Sequence, residues 1–364
     1  MFAKNGEKQN FLLSLTFIAC ADLKSIANFE HRTKRTIRIK NNVIIYRMEI
    51  TNEYNTTPDA QQPSVGLVLE GGGMRAMFTS GVLDVFMKHG IRFDAAVGVS
   101  AGVLFGSNYK SNQPDRALRY NIRYKDNPEY MSWRSLFRTG NYVNEQFSYN
   151  LLPHQYDPID FQAYRENPMK FYAVCTDIEK GCPVYHEIDD ADGVGLRWMQ
   201  ASASMPVFAR PMEIDGRRYL DGGISDSIPL RFIQKEGYRK NVVVLTQPAY
   251  YKKKKAHVGL LMKMLLGDYP KVAELMSRRH VMYNDQLDYI HTEMQKGDTF
   301  LICPDEKLDI GRLCQKEDKM RRVYEAGVEK ATALLPQLKE FLASDYRGQV
   351  TPLPRLGNIV TAMR

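Results

Sequence analysis

Cysteine is scarce in this chain. The five cysteines, Cys20, Cys175, Cys182, Cys303 and Cys314, are odd in number and none lies in C-x-x-C. A disulfide framework is therefore not expected, and zinc has no ligand spacing to rest on. The cysteines read as mostly buried small residues in a reducing compartment. The apolar stretch at residues 11–21 is too short to cross a bilayer as a helix. No zinc-finger spacing or RNP-like pattern supports a nucleic-acid partner. No internal repeat stands out, and no low-complexity tract beyond Lys252, Lys253, Lys254 and Lys255. None of the seven histidines sits beside a turn motif that would aim it, which bears on the choice of a base below.

What is present has an ordinary globular balance, 44% hydrophobic and 25% charged residues. With 364 residues there is room for one large α/β domain plus additions, or for two domains. The net charge of +8 and a pI near 9.0 favour contact with anionic surfaces. Nucleic acid, phospholipid headgroups and acidic substrates all qualify, and charge alone does not choose among them.

Residues 1–63 differ from the rest. The stretch 11–21 follows Lys4 and Lys8, as a signal-peptide core would, and Ile18-Ala19-Cys20 has the outline of a lipoprotein cleavage site. A basic stretch from His31 to Arg47 follows at once. Residues 52–63, rich in Asn, Thr, Gln and Pro, read as a flexible linker. The preferred reading is a poorly ordered extension, with Met48 as an alternative start.

Order begins at Val65-Gly66-Leu67-Val68-Leu69, an apolar run typical of a buried parallel strand. A Gly-rich loop follows, then helix periodicity over 77–89 with Gly90 as the stop. The next strand ends at Ser100 and another helix starts. This βαβα opening predicts a parallel sheet with helices on both faces. Residues 110–164 are polar and aromatic and read as helices and loops that cover the site. Strands are expected at 169–176, 182–186, 242–245 and 299–302, and a helix at 194–203 broken by Pro206. A hairpin is expected over 212–220, turning at Asp215-Gly216. Further helices are expected at 258–266 and from Lys316 to about Ser344.

The chemistry centres on Gly98-Val99-Ser100-Ala101-Gly102, a G-x-S-x-G pattern in the context it requires: strand, sharp turn, helix. Such a turn holds the hydroxyl at the strand's C-terminal edge, beside a helix N-terminus that favours developing negative charge. Roughly one chain in ten of this length carries the pattern by composition alone, so it needs partners. A serine hydroxyl needs a base, and the oxyanion that follows its attack needs donors already aimed at it. Gly71, Gly72 and Gly73 can present backbone N–H groups without obstruction, and Arg75 adds positive charge. Asp221 follows a strand and is succeeded by Gly222-Gly223, which let other backbone approach. A carboxylate there can serve as base if partial burial raises its pKa. A Ser100–Asp221 dyad is the economical arrangement. Gly71-x-Gly73-x-x-Ala76 also matches the dinucleotide fingerprint, but the second strand ends in Ser100 rather than in an acidic residue for the ribose.

As a set these residues resemble the patatin-like phospholipase family. Gly71-Gly72-Gly73-Met74-Arg75 is similar to its G-G-G-x-R loop, Gly98–Gly102 to its nucleophile elbow, and Asp221-Gly222-Gly223 to its D-G-G/A. Ala201-Ser202-Ala203-Ser204-Met205-Pro206 resembles the small-residue helix before the final aspartate. Ala76 and Glu70 depart from the residues that the family often carries at those places. The resemblance covers about residues 65–245. It implies a three-layer α/β/α fold with a mainly parallel central sheet, a Ser100–Asp221 dyad, and an oxyanion hole from Gly71, Gly72 and Gly73 with Arg75 nearby. It also implies no metal and no cofactor. The implied activity is cleavage of carboxylic esters of lipids, as in a phospholipase A or lysophospholipase, with a phospholipid or other acyl-ester lipid as substrate. The expected division is an extension at 1–63, a catalytic domain at 64–248 and a mostly helical C-terminal extension at 249–364 packed on it. The expected location is the cytoplasm, with peripheral contact to an anionic membrane left open; secretion and a lipoprotein anchor rank lower. The four lysines and the helix after them either seat the protein on an anionic membrane or form a solvated loop and a core helix. The alternative function is a non-catalytic lipid- or membrane-binding module of the same fold, against which intact Ser100 and Asp221 argue.

Overall fold

The computed structural model describes residues 64–255 and 267–344, and the backbone of residues 35–40 and 43–48. Expectations placed on residues 1–34, 49–63 and 258–266 lie outside the described residues. The chain divides into two compact units, Met1–Ala60 and Gln61–Arg364. In the first, β1 (Arg35–Lys40) and β2 (Val43–Met48) pair antiparallel. The second opens with β3 (Val65–Leu69), α1 (Met77–Lys88), β4 (Ala95–Val99) and α2 (Ala101–Lys110). Next come α3 (Arg116–Arg123), α4 (Trp133–Thr139), a π-helical stretch at Gln146–Tyr156 and α5 (Phe161–Glu166). Then follow β5 (Lys170–Asp177), β6 (Cys182–Glu187), α6 (Val194–Ser202), β7 (Met212–Ile214) and β8 (Arg217–Asp221). The unit closes with α7 (Leu230–Lys235), β9 (Lys240–Val244), α8 (Pro270–Lys296), β10 (Thr299–Ile302) and α9 (Glu317–Ala343).

The sheet order is β10-β9-β3-β4-β5-β8-β7, with β6 on β5. The five strands from β10 to β5 are parallel, and β6, β7 and β8 join antiparallel. Strands buried on both faces read as continuous apolar runs, which is why β3, β4 and β9 stand out in the sequence. The pleat sorts their side chains onto two faces. Leu67, Leu69, Ala96, Phe171, Ala173, Val242 and Val244 face a core with Phe78, Val82 and Phe86 of α1 and Val323 of α9. Val68, Ala95, Val97, Tyr172, Val174 and Val243 face a core with Ile233 of α7 and with Tyr283, Leu287 and Ile290 of α8. The result is a three-layer α/β/α arrangement with a mainly parallel sheet. No helix among the described residues is long and apolar enough to cross a membrane.

The hairpin turns at Asp215 (φ 51°) and Gly216 (φ 69°), both left-handed as a two-residue hairpin of the favoured twist requires. The helix α8 lies in the stretch expected to be mostly helical, but its bounds are not among the sequence expectations. Of its 27 residues only Val272, Tyr283, Leu287, Ile290 and Glu293 are buried, a stripe too sparse to stand out by periodicity. Its ends did carry a signal, Pro270 at the start and Gly297 (φ 83°) just past the end.

One edge of β5 decides where the site forms. Its partners on β4 run from Ala95↔Lys170 to Val99↔Val174, and its partners on β8 run from Cys175↔Asp221 to Asp177↔Tyr219. Over residues 172–177 β6 occupies the other edge. β8 therefore continues where β4 stops, arriving from the opposite direction, and the last residue of β8 lands beside the end of β4.

The helix α9 lies against α1 with almost no space between their backbones. A Cβ on Gly327 would stand 2.1 Å from the Phe78 carbonyl oxygen, and one on Gly81 2.2 Å from that of Tyr324. Gly327→Ala forces the helices apart and is expected to cost more than the roughly 1–3 kcal/mol of ordinary overpacking. Gly311→Ala, where a Cβ meets nothing within 4 Å, is expected to leave the melting temperature within a degree or two. Equal melting temperatures for the two variants would contradict this packing.

The Tyr324 hydroxyl of α9 lies within hydrogen-bond distance of the carboxyl groups of Asp84 (2.7 Å) and Asp115 (2.8 Å). Burial pushes the Asp84 carboxyl up to about 6, against the pull of hydrogen bonds from Tyr324 and the Asp115 N–H. The folded state thus holds more protons than the unfolded one between about pH 4 and pH 6, and stability from this group falls as pH rises through that window. Asp84→Asn removes the titration. Its melting temperature relative to wild type is expected to climb between pH 4.5 and pH 7.5; a flat difference would refute the assignment.

Candidate active site

Ser100 stands between β4 and α2 at φ 54°, ψ −125°, a conformation that a residue with a Cβ holds only under strain. Its neighbours make the reversal possible. A Cβ on Gly98 would lie 2.6 Å from the backbone nitrogen of Val103, and one on Gly102 2.5 Å from the Leu69 carbonyl oxygen. The Ser100 N–H donates to Ser202 Oγ at 3.0 Å. Its carbonyl accepts from Val103 at 3.0 Å, opening α2.

Asp221 ends β8 and is buried. Its carboxylate shares a cavity with the Ser100 hydroxyl, and its Oδ1 accepts from the Gly223 N–H at 2.8 Å. The backbone is held as well: the Asp221 N–H donates to the Ser204 carbonyl (2.8 Å) and its own carbonyl accepts from Thr176 Oγ1 (2.8 Å). Burial raises the carboxyl's pKa above the usual aspartate range. The Ser100 hydroxyl, the Gly223 N–H and the charges of Arg279 and Arg312 oppose that rise without cancelling it. No histidine lines the cavity at Ser100 among the described residues.

The Gly-rich loop lies directly on the serine. A Cβ on Gly71 would be 2.9 Å from Ser100 Cβ and 2.7 Å from the Val99 carbonyl oxygen, so only glycine brings this backbone so close. Gly71, Gly72, Gly73 and Arg75 all line the cavity that contains Ser100 and Asp221. Gly98 and Gly102 sit behind it, framing the turn. Arg75 is largely buried, which lowers its pKa against the pull of Glu70, and its Nε has no hydrogen-bond partner.

Several contributors carried no functional signal of their own. Ser202 and Ser204, in and just after α6, hold the backbones of Ser100 and Asp221 respectively. Glu70 is a brace: its carboxylate accepts from the Thr246 N–H (2.6 Å), Thr246 Oγ1 (3.0 Å) and the Tyr283 hydroxyl (2.8 Å). Arg279 donates through Nε to the Gly223 carbonyl and through Nη2 to Ser227 Oγ (3.0 Å). The Arg312 carbonyl accepts the Met74 N–H at 3.0 Å. Tyr283, Arg279 and Arg312 thus tie the segment after β9 to both loops of the site.

Two hollows meet at Ser100. One, of about 160 Å³, carries the charged groups; the other, of about 120 Å³, is walled by side chains such as Leu104, Phe105, Tyr130, Leu152 and Met199. Gly73, Ser100, Met205 and Arg312 border both. This is the geometry of a site that receives an apolar chain on one side of a hydroxyl and a polar group on the other.

The model of the patatin-like phospholipase family matches residues 67–232, which include the Gly-rich loop, Ser100 and Asp221. Over that stretch the chain is similar to the patatin-like phospholipase family. A second family model, a domain of unknown function (DUF6363), matches residues 269–343. The uncharacterized protein YjjU of Escherichia coli (strain K12) is 29% identical over 277 residues, 73% of this chain and 76% of its own length. Lysophospholipase NTE1 of Scheffersomyces stipitis is 27% identical over 187 residues, 50% of this chain but 12% of the fungal protein. Among solved structures, VipD from Legionella pneumophila gives a TM-score of 0.40 at 12% identity, over 86% of this chain and 72% of VipD.

The Tyr283–Glu70 bond offers a sharp test of the brace. Tyr283→Phe keeps the packing of a buried ring but leaves a buried carboxylate oxygen without its donor. The expected cost is about 1–3 kcal/mol, read by urea unfolding, together with a fall in hydrolytic kcat/KM as the Gly-rich loop loosens. An unchanged unfolding midpoint would show that Glu70 does not depend on α8.

Proposed function

We propose that this chain is a serine acyl hydrolase acting on carboxylic esters of lipids, with phospholipase A or lysophospholipase activity. The observation that carries the proposal is a strained serine hydroxyl and the buried carboxylate of Asp221 in one cavity, at the junction of an apolar and a charged hollow. Similarity to fungal proteins named lysophospholipases supports the substrate class.

Ser100 is the nucleophile and Asp221 the base. As the hydroxyl oxygen attacks the ester carbonyl, its proton passes to Asp221, whose raised pKa makes it a better acceptor than an ordinary aspartate. Backbone N–H groups of Gly71, Gly72 and Gly73 hold the oxyanion, with the Arg75 charge nearby. Collapse of the tetrahedral intermediate breaks the bond to the alcohol, which takes the proton from Asp221. Water then attacks the acyl-serine, giving its proton to Asp221, and the carboxylic acid leaves while Ser100 is reprotonated. The strained φ of Ser100 keeps its hydroxyl exposed to the cavity rather than folded into α2. No step calls for a metal or cofactor.

Peripheral contact with an anionic lipid surface is part of the proposal. Trp133 and Phe137 of α4 are 56% and 85% exposed, with Arg134 and Arg138 exposed on the same turns. The Trp133 ring packs on Phe208, which lines the charged hollow. An aromatic pair flanked by arginines is the composition of an interfacial anchor.

Ser100→Ala and Asp221→Asn are each expected to lower fatty-acid release by about 10³-fold or more, and Ser100→Ala to abolish labelling by a fluorophosphonate. The acid limb of the kcat/KM–pH profile is expected above the ordinary aspartate value of about 3.9, because the base must be ionised. Lipid binding that survives Ser100→Ala, in a protein whose wild type neither labels nor turns over any ester, would replace this reading with a non-catalytic lipid-binding module.

A further inference from the structure

The charged hollow holds more cations than it can neutralise. Arg75, Lys253, Arg279 and Arg312 line it, facing two carboxylates, Glu70 and Asp221. Glu70 already accepts from Thr246 and Tyr283, and Asp221 from Gly223. Among the described residues none of the four cations forms an ion pair with a carboxylate. The Nε–H of Arg75 is buried and has no acceptor.

Lys253 is the member least readable in the sequence. It is one of four consecutive lysines, yet they do not behave alike. Lys252 pairs with Asp288, and Lys254 and Lys255 are exposed. Lys253 turns inward, clipped to α8 by Asn284, which accepts from its N–H (2.8 Å) and donates to its carbonyl (3.1 Å). Its ammonium lies 4.3 Å from the Tyr283 ring centroid. Burial, then the charges of Arg279 and Arg312, push its pKa down to about 7, with Arg75 adding to the effect and Glu70 opposing it. Arg75, Lys253 and Arg279 are partly withdrawn from water without an ion-paired carboxylate, which is costly, and Arg312 stands exposed beside them. An anion with several acceptor oxygens would relieve that cost from three directions, and guanidinium groups match a phosphate with paired hydrogen bonds.

We infer that Lys253, Arg279, Arg312 and Arg75 form a phosphate-binding subsite that takes the headgroup phosphate of the acyl-ester lipid cleaved at Ser100. This rests on the proposed role of Ser100. The apolar hollow on the other side of the serine takes the acyl chain, so the ester carbonyl falls between the two. Two of the four cations, Arg279 and Arg312, come from the segment matched by the domain of unknown function. The inference gives that segment a task, to supply the charge that selects phosphate-bearing esters over neutral ones. Because Arg279 also holds Gly223, the informative substitutions are at Lys253 and Arg312.

The test uses the full chain with Lys253→Met and Arg312→Gln, two variants so that a folding defect in one does not decide the matter. Inorganic phosphate is titrated by calorimetry, against chloride at matched ionic strength, and as an inhibitor of p-nitrophenyl butyrate hydrolysis. Separately, kcat/KM is measured for a lysophosphatidic acid and for the monoacylglycerol of the same chain. Phosphate is expected to bind and to compete with the short ester, and each variant to weaken that binding about tenfold or more. Wild type is expected to favour the phosphate-bearing lipid, and each variant to lower that ratio about tenfold or more, chiefly through KM. If phosphate binds but the lipid ratio is the same in wild type and variants, the subsite serves free phosphate and the headgroup assignment is wrong. If phosphate neither binds nor competes and the ratio is unmoved, the subsite itself is refuted, while short-ester hydrolysis lost in Ser100→Ala would keep the hydrolase reading. If no ester is turned over, that reading fails, and phosphate calorimetry still decides the subsite.

Discussion

A single edge of β5 is divided between two strands, and the meeting of Ser100 with Asp221 follows from that division. β4 occupies the edge up to Val174 and β8 from Cys175 onward. The first delivers a serine at its end and the second, running the other way, an aspartate at its end. Neither residue depends on a long flexible loop for its position. Each is fixed by ladder hydrogen bonds, and Ser202 and Ser204 then bind one backbone each. Positions held by strand ends vary little, so the hydroxyl and the carboxylate are kept in one cavity by the sheet itself.

The same logic extends outward to the segment after β9. Glycines let the loops approach the serine closely, but a chain of glycines has little stiffness of its own. The stiffness comes from outside: Tyr283 on Glu70, the Arg312 carbonyl on Met74, Arg279 on Gly223. β10 adds to the same sheet and α9 lies flush on α1 through Gly81 and Gly327. A segment this engaged with both loops belongs to the site's construction, whatever else it does.

Much of the arrangement was legible in the sequence, for reasons that can be stated. Parallel strands buried on both faces leave apolar runs, so β3, β4, β9 and β10 announced themselves. The Gly-rich loop, the elbow around Ser100 and Asp221-Gly222-Gly223 were legible because close backbone approach leaves few residue choices. What stayed hidden are contacts whose partners lie far along the chain. Ser202 is 102 residues from the N–H it accepts. Arg279 follows Arg278, which bonds Glu274 on its own helix, and nothing local says which of the two turns inward. Lys253 sits among like residues, and only the clip to Asn284 singles it out. The helix α8 eluded periodicity because it covers one face of a sheet with a narrow stripe rather than a broad one.

The charges around Asp221 link the two halves of the site. Burial raises its pKa, while Arg279 and Arg312 lower it. These are the same arginines that leave the hollow with excess positive charge and depress Lys253. An anion seated among them would offset their field at Asp221, raising its pKa further, and would raise that of Lys253 in the same event. A stronger base beside a bound serine proton lowers the barrier to attack, as long as the carboxyl remains ionised at the working pH. Binding an anion there would therefore make Asp221 the stronger base. On the proposed reading, recognition of the headgroup and activation of the nucleophile draw on one set of arginines, and the segment that supplies two of the cations bears on both.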